Sequence, residues 1–143
     1  MNYEMIADEL LDIAETGFRK NYRNVKKEYF TPENLVLIRL ARSNEGIVYA
    51  GTLSSYIAVA TSRMAVILND LERQGLVERK TDDRDSRKKI VVATPKGKEK
   101  GVALLEEIRR NCADILSVLG EEDAIRLVDM VRRISGAMNP DAA

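Results

Sequence analysis

Residues 52–97 read TLSSYIAVATSRMAVILNDLERQGLVERKTDDRDSRKKIVVATPKG, and this stretch decides the fold. It predicts a short helix over 53–59 and a second helix from near Thr61 to Gln74, meeting at Ala58. Gly75 is placed to end the second helix in a left-handed cap. Within that second helix Met64, Ile67, Leu68 and Leu71 fall at i, i+3, i+4 and i+7. One stripe therefore packs inward, while Ser62, Arg63, Ala65, Val66, Asn69, Asp70 and Arg73 stay on other faces. That is the division of labour of a helix-turn-helix. Strands are expected over 76–80 and 89–93, where Leu76 and Glu78 flank Val77 and where Ile90, Val91 and Val92 form a β-branched run. Between them, residues 81–88 are too polar for a core and too rich in Arg and Lys for a neutral turn. A basic hairpin beside a recognition helix is a winged helix.

Outward from this stretch the chain reads as helical, with no linker, repeat or low-complexity tract. Toward the N-terminus, Ile6, Leu10, Ile13, Gly17 and Phe18 recur at helical spacing, widened by Leu11 and Ala14, and predict one long helix over 3–29. Thr31-Pro32 then supplies an N-cap and a proline at the first helical position, ahead of a helix reaching about Ser43. Thr94-Pro95 repeats that start signal. Val102, Leu105, Ile108, Cys112, Ile115, Leu116 and Leu119 follow as a long apolar face, and Gly120 stops it. Glu121, Glu122 and Asp123 favour the dipole at the start of a last helix, whose apolar side is Ile125, Leu127, Val128, Val131 and Ile134 and which ends over 136–140.

The chain has 143 residues, 45% hydrophobic and 32% charged, which suits one folded module and argues against disorder. There is no apolar signal core near the N-terminus and no run approaching the roughly 18–20 apolar residues that span a bilayer, so a cytoplasmic location is expected. A single cysteine, Cys112, excludes an intramolecular disulfide framework. The absence of histidine weakens metal and general-base chemistry, and no glycine-rich phosphate loop or nucleophile–base pair is present. No enzyme and no cofactor is expected. Adjacent acids such as Glu106-Glu107 face different directions on a helix and read as solvated surface.

Net charge is zero, from 23 basic and 23 acidic residues, but its distribution is uneven. Residues 1–60 carry 7 basic and 8 acidic groups, residues 61–100 carry 11 and 7, and residues 101–143 carry 5 and 8, giving −1, +4 and −3. Phosphate contacts need local positive charge within a Debye length of about 8 Å, so a basic face survives a neutral total. A charged solvated surface is the alternative, but the excess coincides with the recognition helix and wing and favours double-stranded DNA. The terminal helices are more apolar than so small a core can cover, which predicts a homodimer. Two-fold symmetry presents two recognition helices to half-sites about 34 Å apart. A monomer whose terminal helices pack on themselves is the alternative.

At this point the residues resemble the multiple-antibiotic-resistance regulator (MarR) family of dimeric winged-helix transcription factors. The resemblance covers nearly the whole chain. It is carried by Phe30-Thr31-Pro32-Glu33-Asn34, by residues 53–59, by residues 71–79, and more specifically by Asp82-Asp83-Arg84-Asp85-Ser86-Arg87 followed by Thr94-Pro95-Lys96-Gly97. The resemblance implies a mainly α fold with a small β-hairpin wing. The winged helix-turn-helix would occupy 31–97, and a helical dimerisation region 1–29 and 98–139, within one module, 1–143. It implies a sequence-specific regulator, a repressor on a pseudo-palindromic operator, responsive to a small aromatic or lipophilic effector.

By the same resemblance Arg87 reaches the minor groove, oriented by Asp85, with Arg84, Lys88 and Lys89 on the backbone. Thr52, Ser54, Thr61, Ser62, Arg63, Ala65, Val66, Asn69 and Arg73 contact DNA from the helices. Val66 stands where an Arg is common and Ala65 where a hydroxyl is common, so apolar contact with thymine methyls is expected, unless Val66 is simply half-buried. Ala58 replaces a usual turn glycine, and Ala60 a usual N-cap serine, leaving Thr61 to cap. Effector-binding residues are left open: Tyr22, Tyr29, Arg39 and Tyr49 could line a cleft or merely pack. Cys112 is expected to be a packed thiol. A winged helix used only to bind another protein is the competing class, against which the wing arginines and the +4 balance stand.

Overall fold

The computed structural model describes residues 2–15 and 27–139. Helix α1 spans Tyr3–Ile13, started by Asn2, whose side chain accepts from the Glu4 amide. A 3-10 turn, Lys27–Phe30, precedes α2, Pro32–Arg42. Of the single helix expected over 3–29, residues 3–13 are α-helical and 27–30 form a 3-10 turn, while residues 16–26, with Gly17, Phe18 and Tyr22, lie outside the described residues. Helix α2 begins as its sequence dictates: Thr31 Oγ1 accepts from the Asn34 amide at 3.3 Å and Pro32 occupies the first turn.

A short strand unseen in the sequence, β1 (Ile47–Tyr49), runs directly into α3 (Ala50–Ile57). The latter begins and ends earlier than the 53–59 expected, because β1 delivers the chain at Ala50 and Ala58 adopts a left-handed conformation, φ 59° and ψ 46°. Helix α4 follows over Thr61–Arg73, and Gly75, at φ +71°, turns the chain out of it. Strands β2 (Val77–Thr81) and β3 (Lys89–Ala93) form the wing. Leu76 lies just outside β2, with its carbonyl accepting from the Thr94 amide at 3.1 Å. In place of a two-stranded hairpin there is a three-stranded antiparallel sheet in the order β1-β3-β2, with Ile47 opposite Val92 and Tyr49 opposite Ile90. Helix α5 (Pro95–Ser117) and helix α6 (Glu121–Met138) complete the chain, separated by Gly120 at φ +78°. The C-terminal boundary expected at 136–140 falls at Met138, and Pro140 lies outside the described residues.

The core joins α2, α3, α4 and the sheet through Leu37, Leu40, Leu53, Met64, Leu68, Leu71, Leu76 and Val91, each almost wholly buried. All four residues of the predicted α4 stripe are in it. Each such side chain contributes on the order of 1.5–3 kcal/mol by leaving water. Helix α5 docks through two glycines. A Cβ on Gly97 would stand 1.8 Å from the Leu76 carbonyl oxygen, and one on Gly101 would stand 2.5 Å from that of Leu37, so backbone meets backbone there. Thr94 ties the joint together: its hydroxyl donates to the Gly75 carbonyl at 2.6 Å and accepts from the Gly97 amide at 3.1 Å.

Neither α1 nor α6 buries any residue. Leu10, Leu11, Ile115, Ile125, Val131 and Ile134 are exposed on α1, α5 and α6, as is Val118 at the end of α5. Cys112, expected to be packed, is also exposed, since the apolar face that carries it is uncovered by the described residues at that level. Among the described residues no single helix is long and apolar enough to cross a membrane.

Candidate nucleic-acid interface

On α4 the buried stripe leaves an opposite face on which Ser62, Val66, Asn69 and Arg73 recur at i, i+4, i+7 and i+11, flanked by Ala65, and all five are exposed. Val66 is 58% exposed, which removes the half-buried reading and leaves two methyl groups on the outward face. Arg63 lines a shallow groove with Glu33, Ser62, Val66 and Asp70. Thr61 is exposed at the first helical position, but it does not cap: Ala60 is the N-cap residue and no side chain accepts from the helix start. The expected Thr61 cap fails because the helix begins at Thr61 itself. Its first amides are left for another acceptor, which at a helix N-terminus is favourably an anion.

Two of the outward residues are not free readers. Asn69 Oδ1 accepts from the Arg79 guanidinium, so its amide NH2 is the group left outward, and Arg73 pairs with Asp70 one turn back. Arg79 is a residue that sequence reasoning missed. It also donates from Nη2 to Glu72 at 2.8 Å, and its amide donates to the same carboxylate at 2.9 Å, binding β2 to the recognition helix. The guanidinium hydrogen bond holds the Glu72 carboxyl below its ordinary value. Ser54 must be withdrawn as a contact. It is only 8% exposed, and its hydroxyl donates to the Ala50 carbonyl at 3.1 Å, because α3 starts early enough to place that carbonyl one turn back.

The wing tip is built from two aspartates that fold the chain onto their own side chains. Asp82 Oδ1 accepts from the Arg84 amide at 3.1 Å, and Asp85 Oδ1 accepts from the Arg87 amide at 3.0 Å. Backbone bonds from the Asp82 amide to the Lys88 carbonyl and from the Lys88 amide to the Asp85 carbonyl, each 3.0 Å, close the loop. The expected orientation of Arg87 by Asp85 is present as an ion pair of 3.7 Å, with the Arg87 side chain 93% exposed. A pair so open contributes at most about 1 kcal/mol, so Asp85 aims the arginine more than it stabilises the wing. Lys89 donates from Nζ to Thr81 Oγ1 at 2.9 Å, and Arg84 is exposed at the tip.

Tyr49, weighed in the sequence only as an effector contact, belongs to the wing. Its hydroxyl donates to Asp82 Oδ2 at 2.8 Å, and Lys88 Nζ sits 5.2 Å from the centre of its ring. That hydrogen bond raises the Tyr49 hydroxyl pKa; the Arg84 amide and then the Tyr49 hydroxyl hold the Asp82 carboxyl low. The two residues are 33 positions apart. Only the local run Ile47-Val48-Tyr49, two β-branched residues and an aromatic bounded by Gly46, could have signalled the strand that brings them together.

One cleft unites these parts. Gly51 and Thr52 at the start of α3 line it together with Arg87, Lys88 and Lys89 of the wing. The start of α3 is likewise uncapped by any side chain. Backbone amides at a helix start, a threonine hydroxyl and three cations converge there, the donor set that a phosphate backbone accepts. Among the described residues no group of His, Cys, Asp and Glu is arranged to hold a metal ion. Of the residues weighed for an effector, Tyr29 is buried in the α2 region, and Arg39 and Tyr49 line a second cleft.

No protein-family profile and no curated relative matches this sequence. Solved structures do. A MarR family protein from Bacillus stearothermophilus shares 23% identity over 97% of this chain and 99% of its own, with a TM-score of 0.72. A MarR family transcriptional regulator from Streptomyces coelicolor, solved in complex with DNA, shares 22% identity over 78% of this chain and 71% of its own, with a TM-score of 0.59. NadR in complex with 4-hydroxyphenylacetate shares 24% identity over 94% and 92%, also at 0.59. The class is thereby defined: this chain has the winged helix-turn-helix fold of the MarR family regulators.

Proposed function

We propose that this protein is a sequence-specific regulator of transcription that binds double-stranded DNA as a homodimer, acts in the cytoplasm as a repressor, and has no enzymatic role. The observation that carries the reading is the cleft where Arg87, Lys88 and Lys89 of the wing meet Gly51 and Thr52 at the start of α3, together with the exposed outward stripe of α4. In this reading α4 enters the major groove, Val66 and Ala65 meet thymine methyls, and Asn69 offers its amide to a base edge. Thr52, Thr61, Ser62, Arg63, Arg73, Arg84, Lys88 and Lys89 hold the backbone, and Arg87 enters a narrow minor groove. Residues 31–97 form the reading head, and residues 1–29 and 98–139 form the two-fold interface. The DNA complex of the Streptomyces coelicolor neighbour supports the partner, and the 4-hydroxyphenylacetate complex of NadR supports control by a small effector.

The test is binding of the protein to its own upstream DNA and to a scrambled duplex, titrated from low to physiological salt. Preference for the natural duplex is expected to persist at physiological salt and to fall in Arg87→Ala by about tenfold, with an unchanged melting temperature. Equal, salt-labile binding to both duplexes would refute sequence-specific recognition.

A further inference from the structure

Arg79 is fastened on one side and faces Asn69 on the other. Its amide donates to Glu72 Oε1 at 2.9 Å and its Nη2 to Glu72 Oε2 at 2.8 Å, so one carboxylate of α4 fixes both the backbone and the guanidinium of β2. The two side chains are only about one-third exposed, 31% and 33%, against 93% for the wing arginine Arg87, and a half-sheltered pair with two hydrogen bonds holds its geometry better than an open one. Nη2 carries two hydrogens, and it also donates to Asn69 Oδ1. A guanidinium has no acceptor, so only the oxygen of the Asn69 amide can stand against it. The NH2 is the half left outward, on the exposed face that Asn69 shares with Ser62 and Val66.

An asparagine with both halves of its amide available reads adenine, accepting from N6 and donating to N7. Here the accepting half is engaged, and the charge beside it is positive and repels the N6 donor. What faces outward is a donor group with two hydrogens. The purine edge made of acceptors alone is that of guanine, with O6 and N7. We propose that Arg79 is a specificity-determining positioning residue: without touching DNA, it turns Asn69 from a reader of adenine into a reader of guanine at one base pair of each half-site. This deepens the function proposed above and rests on α4 being the recognition helix; the Glu72–Arg79–Asn69 arrangement does not.

The experiment is selection of bound duplexes from a random-sequence DNA library by the intact protein, by Asn69→Ala, by Arg79→Met and by the two substitutions combined. Asn69→Ala identifies the position that Asn69 reads, as the one where base preference collapses. The wild type should enrich a G·C pair there, and Arg79→Met should shift the preference toward A·T by at least about fivefold, the lower end of what one good base contact discriminates. In the Asn69→Ala background Arg79→Met should change no base preference. A purely structural Arg79 would instead lower affinity for all sequences alike and leave the preferred base unchanged. Where Arg79→Met does not fold, Glu72→Gln combined with it removes both members of the ion pair and strands no charge. An A·T pair enriched at that position by the wild type, a G·C preference unmoved by Arg79→Met, or a site indifferent to Asn69→Ala would overturn the proposal and leave sequence-specific binding intact. A library in which the wild type enriches nothing would refute the regulator reading, and the proposal with it.

Discussion

The middle of the chain and its two ends obey opposite rules. From α2 to the start of α5, apolar residues at helical or strand spacing find partners within the same chain, and glycines bring backbones into contact. In α1 and α6 equally periodic apolar residues stay uncovered among the described residues: no residue of either helix is buried. Periodicity therefore predicts a helix equally well in both regions, but only in the first does it predict what the helix packs against. The winged helix is determined by one chain; the ends have a surface that becomes a core only when something covers it.

The sharpest way to break this contrast is a matched pair of glycine substitutions. Gly97→Ala forces a Cβ onto the Leu76 carbonyl and is expected to cost about 3 kcal/mol or more, because both clashing groups are backbone and α5 must shift. Gly136→Ala meets nothing within 4 Å and should raise helix stability by up to about 1 kcal/mol. Thermal melts of the two variants decide the matter, and similar melting temperatures would show that the regions do not differ as described.

Next in size is Ile134→Asp, on the exposed face of α6. If that face is the two-fold interface, the dimer should weaken by about a hundredfold, near 3 kcal/mol, while the circular dichroism of the monomer is retained. Sedimentation velocity across a concentration series reads this directly, and an unchanged association state would remove α6 from the interface.

Smaller effects probe the reading head itself. Ala58 holds a left-handed conformation that costs a residue with a Cβ roughly 1–2 kcal/mol, so Ala58→Gly should be stabilising by about 0.5–1 kcal/mol after the added freedom of the unfolded chain is subtracted. A lower melting temperature would show that no strain resides in that turn. The smallest effect is the acid dependence of the Arg79–Glu72 link. Because Arg79 depresses the Glu72 pKa below its ordinary 4.5, the carboxylate contributes stability above that value and loses it as pH falls through the lowered folded value. Melting temperatures recorded from about pH 6 to about pH 3 should therefore fall less steeply in Glu72→Gln than in the wild type.

What could be read in advance follows the same division. Thr31-Pro32, Thr94-Pro95, Gly75 and the Met64, Ile67, Leu68, Leu71 stripe act within a few positions of themselves, and each does in the structure what its spacing implies. The wing aspartates were legible as a motif, although their Asx-type bonds to the amides of Arg84 and Arg87 were not. Strand β1 was missed because three residues carry too little periodicity, and its pairing with β3 lies more than forty positions away. Separation along the chain also hid Tyr49 from Asp82, 33 positions on, and Arg79 from Asn69, 10 positions back. Ser54 misled because a serine on a short helix is polar by type, yet its hydroxyl is satisfied by its own helix. Cys112 misled for the reverse reason, since an apolar neighbourhood along a helix is not burial until a partner is present.

The glycine seam has a mechanical consequence. Helix α5 meets the core backbone to backbone at Gly97 and Gly101, packs along α2 to the level of Leu105 and Ile108, and then runs on to complete 23 residues, a length of about 34 Å. It is a lever with its pivot at one end. A tilt of about 5° at the pivot sweeps the far end by about 3 Å, close to the spacing of one base pair along a duplex. In the homodimer proposed above, two such levers would convert a side-chain-sized disturbance near Leu76 into a mismatch of phase between two half-sites, with neither winged helix changing shape.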